Sequence, residues 1–577
     1  MRSTSTLFAL SACTWQLVRS AAVYHWPDPL LDNIDDQLFV DRFTTMNLLA
    51  NDCGYRDGTS VAGQWLRMAF HDFATYDKET GKGGLDASII FELDRPQNIG
   101  VGMRRSLMDY VNLPTEYVGM ADIIAMGAVM SVVGCHGPVV PFRAGRRDAT
   151  GPGPETVPEP QEPIDEHIKA FKRMGMSKED MIALVACGHS LGGVKQSEFP
   201  QIVTPDLPVG ITFQAPYAFN NSIVHEYFTG TTVNPLVVGP NIETRSDFRI
   251  FNSDNNATLR RLSDLNTFNQ ECSTLIARMI DTVPSDVQLT DVVEPINYKV
   301  QKTMLFPQNG KLTFLATIKI LQTGLFDPLV LHLPKRTVTM FWKERTGQYC
   351  PDQGCKVDLL RVDFEIASRY AFFHGVLQHY FYTFKAEIPA EHSISHFWFE
   401  VDPKNGTAPF IVDNHGANYV IEQDSILYDP YRSDYMRGGS NMVVAVKDPK
   451  GTAQNVHTYS TLAGSPHVRW PINTTSTFEF TRDQSLPPTD GYTFYSGRVP
   501  ENALSNTLHA DIDGKHYKQW LPHLIVPGII NKFDSKVYQD AVGADAFYGQ
   551  HEFHGGAMPF PVDADVMFEM RKIANEF

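Results

Sequence analysis

Apolar residues in the first half of the chain recur at the spacing of amphipathic helices. Val61, Trp65 and Met68 fall on one face of a predicted helix. Arg67 and His71 are four residues apart and share another face of the same helix. The pattern therefore predicts a mainly helical region and places a cation and an imidazole side by side on one of its helices.

A second predicted helix begins after Ser177. The run Ser-Lys-Glu-Asp has the order of a capping box, with Ser177 as the N-cap and Asp180 at the third helical position. Apolar residues continue at helical spacing as far as His189, and Gly192 then stops the helix. The proline-rich segment 151–163, which lies between the two helices, is predicted to be an extended surface loop.

The pattern changes near residue 300. Segments such as KLTFLATIKIL, RTVTMFWKE and HFWFEVD are rich in β-branched and aromatic residues with partial alternation. Turns such as 403–406 separate them. We therefore predict a helical domain at residues 23–300 and a second, β-rich and sandwich-like domain at residues 301–577. A length of 577 residues agrees with at least two domains.

Residues 1–22 have the pattern of a secretory signal peptide. Arg2 gives the positive start, an apolar run follows, and Ala22 is small enough for cleavage after it. Four asparagines lie in glycosylation sequons, which also favours secretion: Asn220, Asn256, Asn405 and Asn473. We find no other apolar run of 18 residues, so we expect a secreted, extracellular protein with no membrane span.

The charge and the cysteines narrow the possibilities further. A formal charge of −17 argues against a nucleic-acid partner, because such proteins need basic surfaces. Beyond the signal peptide six cysteines remain, an even number that an oxidising compartment can pair. The expected pairs are Cys350–Cys355 and Cys53–Cys135, with Cys187 and Cys272 as a third pair or as buried thiols.

The two predicted helices together carry the equipment for peroxide chemistry. A metal plane held between them would have His189 to bind it on one side. Arg67 and His71 would do acid–base work on the other side.

Three motifs, in this order, resemble the signatures of the plant, fungal and bacterial haem peroxidase superfamily. LRMAFHDFATYD with GGLDASIIFE resembles the distal-helix signature, AGRRDA at 144–149 the middle motif, and MIALVACGHSLGGV the proximal signature. The resemblance covers about residues 36–300, and the secreted fungal branches look nearest. It implies a two-lobed helical bundle around haem b, in which H2O2 oxidises one-electron donors such as phenols or dyes.

On the distal side the resemblance assigns five roles. His71 would be the general base that moves the proton of H2O2, and Arg67 would stabilise the charge on the departing oxygen. Asn98 would accept the N–H of the distal histidine, and the acidic residue Glu92, six residues earlier, would orient Asn98. Phe70 would be the distal aromatic residue, as in the secreted branches.

On the proximal side the resemblance makes His189 the axial ligand of the haem iron. Asp247 would accept its N–H and make the ring more electron-rich. It also implies a distal calcium ion held by oxygen ligands, namely Asp72, Gly84, Asp86 and Ser88. Ser190 matches the first ligand of a second, proximal calcium, but Gln214 stands where the family has an aspartate, so that site stays open.

Departures from the family pattern bear on the substrate. The positions of the manganese-binding acids are Thr59, Gly63 and, near the third, Lys195, so we expect no manganese site. Leu184 and Val185 stand where lignin peroxidases carry a surface tryptophan.

The alternative hypothesis is an extracellular glycoprotein whose β-rich half binds a cell-wall polysaccharide or a partner, with the helical domain secondary.

Overall fold

A computed structural model describes residues 23–40, 45–50, 53–56, 59–204, 210–214, 218–323, 335–436, 439–464 and 472–521. The predicted signal peptide at 1–22 lies outside the described residues. The helical part has these α-helices: α1 Pro29–Asp35, α2 Thr45–Ala50, α3 Val61–Phe73, α4 Val101–Tyr110, α5 Met120–Gly134, α6 Ile164–Arg173, α7 Lys178–Gly188, α8 Ser222–Thr229, α9 Pro235–Val238, α10 Ser246–Asn252, α11 Ala257–Arg261 and α12 Leu265–Ile280. Helix α13, Arg369–Phe373, follows much later in the chain.

Helix α5 is the centre of the helical part. All fifteen of its residues are buried, because neighbouring helices cover it on every side. Helix α3 packs along it and buries Trp65, while Ser60 caps its N-terminus by accepting the N–H of Gly63 at 2.9 Å. The predicted capping box of α7 is present, with Ser177 and Asp180 bonded to each other's backbone.

The strand-rich part begins with β5. Two short pairs precede it in the helical part: β1 Tyr55–Arg56 with β2 Thr59–Ser60, and β3 Gly193–Lys195 with β4 Gly210–Thr212. The later strands are β5 Tyr298–Gln308, β6 Lys311–Thr323, β7 Thr337–Lys343, β8 Cys355–Val357, β9 Leu359–Ile366, β10 Val376–Pro389, β11 His396–Asp402, β12 Phe410–Val412, β13 Tyr419–Val420, β14 Ile426–Tyr428, β15 Asp434–Met436, β16 Gly439–Val446, β17 Gln454–Leu462, β18 Thr474–Glu479, β19 Thr481–Arg482, β20 Thr493–Val499, β21 Ala503–Ile512 and β22 Lys515–Leu521.

These strands form four antiparallel sheets. Their orders are β5-β6-β10-β9, then β12-β11-β7-β8 with β13 on β11, then β14-β16-β20-β19 with β15 on β16, and finally β18-β17-β21-β22. The third sheet is buried on both faces, because Val443 joins the core of the first two sheets while Val444 joins the core shared with the fourth. The prediction of a helical domain followed by a strand-rich region is therefore confirmed.

The six described cysteines form three disulfide bonds. They are Cys53–Cys135, Cys187–Cys272 and Cys350–Cys355. The first two tie helix-bearing segments more than 80 residues apart, and the third closes a loop between β7 and β8. Among the described helices, none is both long and apolar enough to cross a membrane.

The N-terminal segment 23–40 packs against the strand-rich part as well as the helical core. Trp26 contacts the rings of Phe397 and Tyr419, with centroids 5.9 and 5.8 Å away. Leu38 belongs to the helical core cluster, which also includes residues from 321 to 376. The sequence placed this segment in the helical domain alone, and the boundary near residue 300 stays a prediction.

A buried ionic cluster holds this segment in place. Asp35 on α1 is fully buried and forms ion pairs with Lys299, at 3.0 Å, and with Lys319. Burial raises the pKa of Asp35, but the two lysine charges outweigh it and lower the pKa to about 2. Lys299 also reaches Asp36 at 2.7 Å. The first sheet thus depends on charges from the start of the chain.

Replacing Asp35 should expose the importance of this cluster. In Asp35→Asn, Lys319 is left buried without its carboxylate, and we expect unfolding free energy to fall by about 3–5 kcal/mol, measured by urea denaturation. Lys311→Gln is the matched control, because its ion pair with Glu387 is about half exposed and should contribute no more than about 1 kcal/mol. Equal losses in the two variants would contradict the assignment.

Candidate active site

A cavity of about 520 Å³ lies between α3 and the end of α7. Its lining includes Arg67 and His71 from α3 and His189 from the end of α7. The two walls approach closely beside it: a side chain at Gly63 would bring its Cβ within 2.6 Å of the Cα of Gly192. The cavity is within the size range of sites that enclose a cofactor.

His189 is held by a buried carboxylate. Helix α7 ends at Gly188, and His189 is its C-cap residue. The Nδ1–H of His189 donates to Oδ2 of Asp247 at 2.8 Å, and Asp247 is fully buried in the first turn of α10. Because Nδ1 carries the proton, Nε2 keeps its lone pair and is free to bind a metal. The carboxylate also makes the imidazole more electron-rich.

Two contacts of this pair were not predicted from the sequence. The Nδ2 of Asn234 donates to the same Oδ2 of Asp247 at 2.7 Å, and the ring of Phe213 stacks on His189 with centroids 4.3 Å apart. Asn234 precedes a proline, which signals a helix start. Its contact with Asp247, thirteen residues further on, has no such local signal.

His71 is oriented by Asn98. Its Nδ1–H donates to Oδ1 of Asn98 at 2.7 Å, so its Nε2 is unprotonated. Burial, followed by the charge of Arg67, lowers the pKa of His71 to about 3, although the bond to Asn98 raises it. His71 is therefore a neutral imidazole at ordinary pH and can accept a proton.

Glu92 orients Asn98 through its backbone carbonyl, a detail that the sequence did not indicate. The Nδ2 of Asn98 donates at 3.0 Å to the backbone carbonyl of Glu92 rather than to its carboxylate. That carboxylate accepts the N–H of Gly153 at 2.7 Å and pairs with Arg95 at 2.9 Å. The carboxylate of Glu92 thus anchors the proline-rich loop, and the backbone carbonyl of Glu92 orients Asn98.

Arg67 lies at the cavity wall with its guanidinium held by main-chain carbonyls. It donates to the carbonyls of Ile99 at 3.2 Å and Gln97 at 3.0 Å, and it lies over the ring of Phe199. Burial lowers its pKa to about 10, while nearby Glu198 opposes that shift, so Arg67 stays charged at neutral pH. The sequence did not single out Phe199 or Glu198.

Phe70 also lines the cavity. Its ring packs against those of Phe73 on α3 and Phe171 on α6, with centroids 6.2 and 5.9 Å away. Phe70 therefore belongs both to the cavity lining and to the apolar contacts between α3 and α6.

Three of the four predicted calcium ligands meet through their side chains. Ser88 donates its hydroxyl to Asp72 and its N–H to Asp86 at 3.1 Å. Burial raises the pKa of both carboxyls, and the charge of Asp86 raises that of Asp72 further. Gly84 takes part through its backbone, since its carbonyl accepts the N–H of Asp86 at 2.9 Å. In the described part of the chain no three His, Cys, Asp or Glu side chains are placed to hold a metal ion.

The residues at the open proximal calcium site bond to the backbone. Ser190 donates to the carbonyl of Cys187 at 2.7 Å. Gln214 accepts the N–H of Ile223 at 2.6 Å and donates to the carbonyl of Ala218 at 2.7 Å. An amide therefore organises the loop where the family would have a carboxylate.

The middle motif has a supporting place. Arg146 is buried, pairs with Asp122 of α5 at 2.9 Å and donates to the carbonyl of Ile280 at the end of α12. Asp148 accepts two N–H groups at the start of α5, from Met120 and Ala121. Neither lines the cavity.

Comparison with known proteins finds relatives of the helical part of the chain. The model of the family described as Peroxidase matches residues 45–234. L-ascorbate peroxidase 5, peroxisomal, of Arabidopsis thaliana is 34% identical over 171 residues, which are 29% of this chain and 58% of that protein. Cytochrome c peroxidase, mitochondrial, of Neurospora crassa is 34% identical over 144 residues, which are 24% of this chain and 40% of that protein.

A further relative is similar to this chain beyond the helical part. A WSC domain-containing protein of Arthroderma benhamiae is 32% identical over 440 residues, which are 74% of this chain and 59% of that protein. A match of that length must extend into the strand-rich part. The chain spans less than two thirds of the length of each of these three relatives.

Proposed function

We propose that residues 45–234, which form a domain of the plant, fungal and bacterial haem peroxidase superfamily, reduce H2O2 with electrons from small one-electron donors. One observation carries the proposal. A neutral His71 held by Asn98 and a metal-competent His189 held by Asp247 line the same cavity.

The lining suits haem b. Apolar side chains such as Leu184, Leu191 and Ile250 cover much of the cavity, and Nε2 of His189 would bind the haem iron. Haem, when bound, supplies an iron that can take two oxidising equivalents from peroxide and pass them on singly to donors. The protein supplies orientation, protons and charge.

The distal side chains move the proton. Nε2 of His71 would take a proton from one oxygen of H2O2 and deliver it to the other oxygen, which would leave as water when the O–O bond breaks. The two electrons for this cleavage would come from the bound haem, and the remaining oxygen would take up two protons and leave as the second water once the donors have restored those electrons. The charge of Arg67 stabilises the developing negative charge in a site from which Phe70 helps to exclude water. Two donors then give one electron each.

The donor is proposed to be a small phenol or dye at the cavity mouth. Gln161 and Gln201 line this mouth and are exposed, so a small molecule can approach there. Lys195 also lines the cavity, near the position of a family manganese ligand, so the carboxylate that would bind Mn²⁺ is absent from that position.

Replacing His71 tests the proposal. His71→Leu should keep haem, seen as an unchanged Soret band, but should react with H2O2 about 10²–10⁴-fold more slowly in stopped-flow mixing, because the general base is missing. His225→Gln is the matched control, since His225 is an exposed histidine of α8 outside the cavity. His189→Ala should instead weaken haem binding itself. A His71→Leu protein as fast as its parent would refute the distal assignment.

The pH dependence of the same reaction gives a second check. The lowered pKa of His71, about 3, keeps the base form present down to acid pH. The rate with H2O2 should therefore be constant above about pH 4 and fall about tenfold per pH unit below about pH 3. His71→Leu should lack this acid limb.

A calcium ion beside the distal helix is a further part of the proposal. Asp72 and Asp86 are buried, repel each other and both accept hydrogen bonds from Ser88. A hard cation that binds oxygen ligands would relieve the repulsion between the two carboxylates. The ion would fix the end of α3 and thereby His71.

Elemental analysis tests the calcium. We expect about one Ca²⁺ per chain after dialysis. Chelation should lower the unfolding temperature, and Asp86→Asn should lose the ion. Glu79→Gln is the control, because Glu79 is an exposed acid on the loop just after α3. A calcium-free protein whose unfolding temperature Ca²⁺ does not change would contradict the site.

We propose a second candidate function, which is that the strand-rich part binds a wall polysaccharide. This function requires that the protein is secreted. The rings of Phe341, Trp398 and His396 lie nearly parallel on one face of the second sheet, with neighbouring planes 10° and 25° apart. All three side chains are half-buried, so part of each is open to solvent, and aromatic rings of this kind can pack against sugar rings.

Expression of the whole chain in a fungal host tests both ideas. We expect the protein in the medium, cleaved after Ala22 and sensitive to endoglycosidase, and we expect insoluble wall polysaccharide to retain it. Trp398→Ala should reduce retention, and Trp520→Ala, on the fourth sheet, should not. Protein that stays inside the cell would contradict secretion. Equal binding of both variants to the wall polysaccharide would contradict the proposed role of the rings of Phe341, Trp398 and His396.

A further inference from the structure

Three histidines lie together on the fourth sheet, and none of them lines the cavity. His457 is on β17, His509 on β21 and His516 on β22. The register places His457 opposite His509, and Asp511 opposite His516, so the four side chains share one face. None of the three imidazoles is fully buried, so solvent can reach the group.

Two of the imidazole nitrogens have the spacing of ligands to one metal ion. Nδ1 of His509 and Nε2 of His516 are 3.0 Å apart. Two nitrogens that each lie about 2.0–2.1 Å from a metal, at adjacent coordination positions, are about 3 Å from each other. A metal at that distance from both nitrogens would lie beside the line that joins them, so each ring would turn about its side-chain bonds until its lone pair points at the ion, while the strands keep their places.

The side chain behind His516 fixes the required tautomer. Its Nδ1–H donates to Oδ1 of Asp511 at 2.7 Å, so Nε2 carries a lone pair toward His509. The other oxygen of Asp511 accepts Nδ2 of Asn455 at 2.6 Å. A carboxylate behind a histidine is the arrangement that orients metal-binding imidazoles and raises their basicity.

His457 fixes the plane of the second ring. It stacks on His509 with centroids 4.9 Å apart and planes 8° apart. The Nδ1–H of His457 donates to the carbonyl of Asn455 at 2.8 Å, so Asn455 supports both sides of the group. Both rings of the nitrogen pair are thus positioned before any ion arrives.

We propose that His509 and His516 bind a divalent transition-metal ion at the surface of the strand-rich part. Imidazole suits Cu²⁺, Ni²⁺ and Zn²⁺, and Cu²⁺ binds such sites most strongly. No third His, Cys, Asp or Glu side chain among the described residues joins them in a site for the ion, so water completes its coordination. Such a site is open and exchangeable.

Metal binding requires one proton to move. Without a metal, Nδ1–H of His509 donates to Nε2 of His516, which alone would explain the 3.0 Å distance. With a metal, His509 takes the tautomer protonated at Nε2, and both facing nitrogens give lone pairs to the ion. The hydrogen bond and the metal site therefore predict different behaviour when copper is added.

The test is a Cu²⁺ titration of the full-length protein with its haem, after removal of loose metal by chelation and dialysis. Equilibrium dialysis with elemental analysis should find about one Cu²⁺ per chain, and its electron paramagnetic resonance spectrum should show coupling to two nitrogens. His509→Gln and His516→Gln should each lose this ion. His225→Gln, which removes an exposed imidazole from α8, should keep it.

Asp511→Asn separates a metal site from a structural hydrogen bond. It keeps the side-chain shape but weakens the support of His516, so we expect affinity for Cu²⁺ to fall about 10–100-fold with an unchanged circular dichroism spectrum. Copper retained at full stoichiometry in both glutamine variants, or no copper bound by the parent protein, would overturn the proposal. Neither result would affect the peroxide chemistry, because no member of the group lines the cavity.

Discussion

The active site depends on one buried carboxylate, that of Asp247. It is out of contact with water and is stable there only because His189 and Asn234 donate to the same oxygen and Ser246 donates to the other. Those bonds fix the ring plane and tautomer of His189 and join the end of α7 to α10. Without the carboxylate, the ring of His189 would no longer be held in one orientation, and it would be less electron-rich as the proposed iron ligand.

The opposite requirement holds for His71. There burial keeps the imidazole neutral, and the amide of Asn98, which carries no charge, sets the tautomer without making the ring a cation. A carboxylate partner makes one histidine electron-rich, and an amide partner leaves the other a free base. The close approach of Gly63 and Gly192 brings these two environments to one cavity.

Much of this arrangement could be predicted from the sequence, because it is local or belongs to a motif. Periodicity and the capping box predicted α3 and α7, and the family resemblance implied the bonds of Asn98 and Asp247 to their histidines. The rest depends on contacts between distant segments. Nothing near Glu92 indicates that its carbonyl rather than its acid would orient Asn98. Likewise, the pairing of Asp35 with lysines 264 and 284 residues away leaves no local pattern.

The most direct test of the account is the absorption spectrum of the purified full-length protein before and after one equivalent of H2O2. We expect a Soret band that shifts within the mixing time and returns when a phenol is added. A Soret band that peroxide leaves unchanged would contradict the proposed work of Arg67 and His71. No Soret band, even after haem is supplied, would contradict the proposed function as a whole.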